Sequence, residues 1–206
     1  MVFSQPKLNL VLGTGYYNPK IETTDPIPKI GFVGKNLLLN WGMRYQIYPN
    51  VRIGYSQSHS LHFGSIGSSN YRRNISYRSI SFETFYLMKE KIELNFSLAP
   101  MLNKGSITIS AKAPTNDWDS FLAVYGNSSV SLETGSSMTK SWVGFSSHMG
   151  CRYYFSRLIS VEGQLGYFMS SYSDKNWKLE DEKKLNGPPM KIGRLPVLHI
   201  NLVVGI

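Results

Sequence analysis

Residues 143–167 read VGFSSHMGCRYYF, then SRL, then ISVEGQLGY, two alternating apolar/polar runs joined by a three-residue polar turn. Side chains in a strand point alternately to opposite faces, so antiparallel pairing about a three-residue loop sets Phe155 opposite Ile159 and Arg152 opposite Glu162, like against like. A loop of even length would put an apolar face beside a polar one. The same arithmetic occurs twice more. Residues 37–47 and 51–55 flank Tyr48-Pro49-Asn50 and set Ile47 opposite Val51, while residues 80–88 and 92–98 flank Lys89-Glu90-Lys91 and set Met88 opposite Ile92. Three hairpins in phase predict one continuous sheet.

Residues 7–17 and 196–206 add an alternating run at each end. Leu8, Leu10, Leu12, Thr14 and Tyr16 share one face of the first, and Leu198, Ile200, Leu202, Val204 and Ile206 one face of the last. The count is eight strands, with the phase of residues 75–79 unclear and Arg78 at a bulge or rim. Tight turns follow strands two, four and six, and long loops follow strands one, three, five and seven, at about 18–36, 59–74, 100–141 and 169–191. The expected fold is therefore all-β: an eight-stranded antiparallel up-and-down barrel, one domain over 1–206, with the long loops at one end and both termini at the other. Alternation at Ile107, Ile109 and Ala111 and at Val130 and Leu132 extends the third hairpin beyond the others.

Such a barrel is either soluble, like a lipocalin with apolar residues around an internal ligand, or transmembrane, with apolar residues toward lipid and polar ones inward. The polar face decides. It carries Asn9, Asn40, Arg44, Gln46, Arg52, Glu83, Glu93, Asn95, His148, Arg152, Glu162, Gln164, His199 and Asn201, interspersed with Gly13, Gly15, Gly42, Gly54, Gly150, Gly166 and Gly205. Glycine gains nothing on a water-facing surface, but in a narrow lumen it makes room for Arg and Tyr. The apolar face is nearly unbroken, with Tyr16, Trp41, Tyr45, Tyr86, Trp142, Tyr153, Phe155 and Tyr167 near strand ends, as in interfacial aromatic girdles. The transmembrane barrel is the reading these faces favour.

The pattern resembles the small eight-stranded outer-membrane barrels of the OmpA transmembrane-domain and OmpX type over nearly the whole chain. Residues 198–206, LHINLVVGI, look like the C-terminal strand read by the outer-membrane assembly machinery, with Ile206 where that family usually has an aromatic. Phe3-Ser4-Gln5 resembles the end of signal peptides common in Bacteroidota, although residues 1–5 themselves have neither a charged region nor an apolar one. The resemblance implies a bacterial outer-membrane location, with periplasmic termini, extracellular loops and outer-membrane lipid and lipopolysaccharide as surroundings.

The net charge of +9 is spread thinly, without a basic helix or compact stripe, so nucleic acid is not an expected partner. Cys151 is the only cysteine, which excludes an intrachain disulfide and any CxxC site. No spacing of His, Cys or carboxylates calls for a metal or cofactor. Ser60 with His62 and Ser146 with His148 are the candidate pairs for nucleophilic catalysis; the second points into the lumen, and His59 and His62 lie at a loop mouth with no acidic residue nearby in sequence.

Inward charges come to Arg44, Arg52 and Arg152 against Glu83, Glu93 and Glu162, and are expected to form an ion-pair network plugging the lumen. Recognition is expected on the loops, with Asp117, Trp118, Asp119, Tyr125 and Trp177 as candidates; residues 177–184, WKLEDEKK, have the composition of a short helix. The expected function is that of a non-enzymatic envelope protein, structural or an accessory subunit of a larger assembly with other outer-membrane or surface proteins. A lipid A-modifying enzyme, a small channel and a soluble lipocalin-like carrier are the alternatives.

Overall fold

The alternating runs form strands, and the strands close on themselves. A computed structural model describes residues 6–21, 32–66, 69–111, 136–179, 183–187, 190–192 and 197–206. Its elements are β1 (Leu8–Tyr16), β2 (Pro19–Ile21), α1 (Phe32–Asn36), β3 (Leu37–Tyr48), β4 (Val51–Ile66), β5 (Ser69–Lys89), β6 (Ile92–Ala111), β7 (Ser136–Tyr154), β8 (Ile159–Met169), β9 (Trp177–Leu179), β10 (Lys183–Leu185), β11 (Met190–Ile192) and β12 (Val197–Gly205). Eight of them form a closed antiparallel ring in the order β1, β3, β4, β5, β6, β7, β8, β12, with β12 returning to β1. Closure leaves the barrel no open sheet edge.

The register follows the hairpin arithmetic. Gln46 pairs with Arg52, Leu87 with Glu93 and Arg152 with Glu162. The first two hairpins then tighten: their last pairs are Tyr48 with Val51 and Lys89 with Ile92, so one residue bulges before each turn. Asn50 takes the left-handed conformation such turns use, at φ 62°.

The outer face carries a belt of exposed apolar side chains. On β6 it runs through Leu94, Phe96, Leu98 and Leu102, and on β7 through Val143, Met149 and Tyr153, with Val143 75% exposed. Cys151 lies exposed on the same face. Inside, Asn9, Arg52, Glu83, Glu93, Arg152, Glu162 and Asn201 are buried. Large apolar groups outside with charges inside invert the order of a water-soluble fold, as lipid on the outside requires. No described helix is long and apolar enough to cross a membrane, so the crossing belongs to the strands.

Two strands run further than the sequence suggested: residues 59–66 and 69–74 are paired strand, not loop. Residues 100–111 and 136–141 are paired too, as the alternation at Ile107, Ile109 and Ala111 predicts for the third hairpin, while Val130 and Leu132 lie outside the described residues. The expected loops at 18–36 and 169–191 likewise contain short elements, and β2 pairs with β11. Beyond the belt the sidedness reverses. Tyr71, Ile75, Tyr77, Met101 and Ile107 point inward and are buried, whereas Arg72, Arg78 and Lys104 are exposed. That reversal explains the unclear phase of residues 75–79, and the register through Arg78 opposite Leu102 shows no bulge there. Trp142, expected on the outer girdle, is inward: it shares the parity of His148 and Arg152, packs against the core and donates its indole N–H to the Ser170 carbonyl at 3.0 Å.

Candidate functional site in the lumen and at the loop end

The lumen has three levels. Near the tight turns, the six inward charges meet in one cluster. Arg44 donates both terminal nitrogens to Glu162, at 2.7 and 2.8 Å, and reaches Glu83 at 3.1 Å. Arg52 engages Glu93 through two bonds of 2.7 Å and Glu83 at 2.8 Å, with its guanidinium 3.6 Å from the Phe85 ring centre. Arg152 donates twice to one Glu162 oxygen, at 2.9 and 2.7 Å. Three cations and three anions leave this floor neutral. The Tyr154 hydroxyl adds a bond to Glu93 at 2.7 Å, and the Asn95 amide one to Glu162 at 3.0 Å. The sequence reading passed over Tyr154, although it shares the parity of Arg152.

Above the floor lies a cavity of about 60 Å³, lined mainly by polar groups, among them Ser56, Ser58, Ser79, Ser97 and Ser146. It has room for a few waters. His148 and His199 face each other across it with ring centres 5.2 Å apart, and Asn40 contacts His199 Nδ1. Glycines make this possible. A Cβ on Gly166 would fall 2.0 Å from His148 Cδ2, and one on Gly15 would fall 2.6 Å from His199 Nδ1.

The third level is an apolar roof of Tyr17, Leu38, Tyr77, Phe168, Tyr172, Trp177, Met190 and Val197, all buried. Tyr77 stands edge-on to Tyr17 at 5.9 Å and Phe168 tilts against it at 5.4 Å. Trp177 was expected as an exposed recognition residue on a short helix. It is instead 0% exposed, on a hairpin in which β9 pairs with β10 and adjoins β7, and it covers the barrel mouth. Strand pairing overrode the helical composition of that run. Asp117, Trp118, Asp119 and Tyr125 lie outside the described residues.

Two cations are built into the loop end. Arg73 is buried and donates to the Tyr172 hydroxyl at 2.8 Å. Lys140 binds the Lys175 carbonyl and lies 5.6 Å from the centre of the Tyr172 ring, and burial lowers its pKa. Burial, with Arg73 beside it, also pushes His62 below its ordinary value. His62 thus neighbours a cation and the Tyr71 ring, where a catalytic histidine would have an acid to orient it. Ser60 is buried and hydrogen-bonds Tyr17, and Ser146 is buried in the lumen. Among the described residues no group of three potential metal ligands occurs.

A closed ring of eight antiparallel strands, apolar outside and charged within, defines a transmembrane β-barrel, and its fold is that of the small eight-stranded outer-membrane barrels. Among solved structures, Neisserial surface protein A matches with a TM-score of 0.54 at 8% identity, covering 97% of each chain. The outer membrane protein OprG of Pseudomonas aeruginosa matches at 0.51 and 9% identity, over 97% of this chain and 96% of that one. A major outer membrane protein of Thermus thermophilus matches at 0.50 and 10% identity, over 96% and 98%. No protein-family model matches the chain, and no curated protein matches it in sequence.

Proposed function

We propose that this chain is a non-enzymatic protein of the bacterial outer membrane, structural or an accessory subunit of an envelope assembly, with periplasmic termini and its working surface at the extracellular loop end. The observation that carries this reading is the filled lumen. A neutral ionic floor and a buried apolar roof bound a space for only a few waters, which argues against solute passage. The outer belt belongs to lipid, so the loop end is the surface left for recognition, including the candidates Asp117, Trp118, Asp119 and Tyr125. Against an enzyme stands the setting of the two Ser and His pairs, one within the lumen and the other beside Arg73.

Replacing residues 112–135 by a short turn between β6 and β7 tests the reading. The shortened protein is expected to fold, judged by heat-modifiable gel migration, and to lose partners that co-purify with the full chain from outer membranes. Retention of every partner would overturn the binding role. Lipid hydrolysis abolished by Ser60→Ala or His62→Ala would replace it with the enzyme reading.

A further inference from the structure

The described outer face carries a cleft that neither the lumen nor the loops use. Where the apolar belt ends, a cleft of about 860 Å³ opens across β4 to β7, with Tyr55, Ile80, Pro100, Leu102 and Val143 along its walls and Arg78 and Lys104 beside them. Local chemistry explains its position. The β5 to β6 ladder skips Ile80 and Ser81, opposite Ala99 and Pro100, and proline has no N–H to give.

Arg78 pairs with Leu102, and Ser76 with Lys104, so Arg78 and Lys104 are diagonal neighbours on adjacent strands. That spacing, roughly 7–8 Å between Cα atoms, brings both heads within reach of a single anion. Both cations are exposed, and no Asp or Glu is among the described outward residues of β4 to β7. Two cations with no acidic partner among the described residues, at the rim of an apolar belt, lie where lipid headgroups lie.

We infer that this cleft is a docking site for a phosphorylated, multiply acylated glycolipid of the lipid A type, its phosphate held by Arg78 and Lys104 and its acyl chains laid over Ile80, Pro100, Leu102 and Val143. Charge complementarity selects the phosphate. The width selects the lipid: the walls span three interstrand spacings, roughly 14 Å, room for several chains side by side. This rests on the reading that the loop end faces the outer leaflet.

The test uses the full chain in uncharged detergent micelles, titrated with diphosphoryl lipid A and with the same lipid dephosphorylated, with binding followed by native mass spectrometry. Wild type is expected to prefer the phosphorylated lipid. Arg78→Gln with Lys104→Gln should bind it roughly 20- to 30-fold more weakly, at about one power of five per cation, with heat-modifiable migration unchanged. Arg78→Lys with Lys104→Arg keeps both charges and should restore binding, which separates a charge effect from misfolding. Equal affinity of wild type and the Gln variant for the diphosphoryl lipid, or equal affinity of wild type for the two lipids, would overturn the site. Because Arg78 and Lys104 lie outside residues 112–135, the loop-shortened protein should retain lipid binding whatever becomes of its partners.

Discussion

Glu162 is where the ionic floor is most exposed to damage, since its two oxygens serve Arg44 and Arg152 together. Glu162→Ala leaves the buried Arg152 and the largely buried Arg44 short of their counter-charge and is expected to cost about 3–5 kcal/mol. Equilibrium unfolding in urea, with the protein in lipid vesicles, measures this. At the next level up, Gly166→Ala drives a methyl into the His148 ring and should cost about 1–3 kcal/mol. His148→Ala removes the ring but leaves the Ser147 carbonyl oxygen 2.6 Å from the new methyl, so the double variant is expected to recover only part of that loss. A simple sum of the two single effects would show that the contact is not the cause.

Among the elements, the hairpin of β9 and β10 is the one whose role changed between sequence and structure. Trp177 is packed against Tyr172, ring centres 5.8 Å apart, and Gly187 comes so close that a Cβ there would meet the indole at 2.5 Å. Trp177→Ala is accordingly expected to lower stability by about 3–5 kcal/mol while leaving any partner affinity of the folded protein unchanged. Loss of affinity without loss of stability would return Trp177 to a recognition role. The barrel strands were legible because period 2 has one reading once three turns agree, and the pairing of Arg152 with Glu162 followed from it. The upper halves of β4 to β7 were not, because inside and outside exchange chemistry there while the period continues. Ile75 and Tyr77 then face the core from the side that carries Glu83 lower down, and Trp142 was misplaced for the same reason. In the floor, the strands supplying each charge could be read from parity, but not the links across the lumen, which depend on how the ring curls.

For the whole molecule, filling at two levels means that removing one does not open a path. Planar bilayers containing the wild-type protein are expected to show no steady conductance, and Glu83→Ala should not create one while the roof is intact; stepwise single-channel currents from either would contradict this. The floor also joins strands that are not neighbours. Arg44 on β3 reaches Glu162 on β8 past β1 and β12, and the two residues are 118 positions apart in the chain. An unclosed sheet holds them at separate places on a curved ribbon, so this bond has no precursor in any single hairpin and forms only when the first and last strands meet. It is a latch on ring closure, late in time as well as distant in sequence. Charge-removing substitutions at Arg44 should therefore quicken unfolding far more than they slow folding, a low φ-value, whereas Ile53→Ala, within a local hairpin, should act on the folding rate.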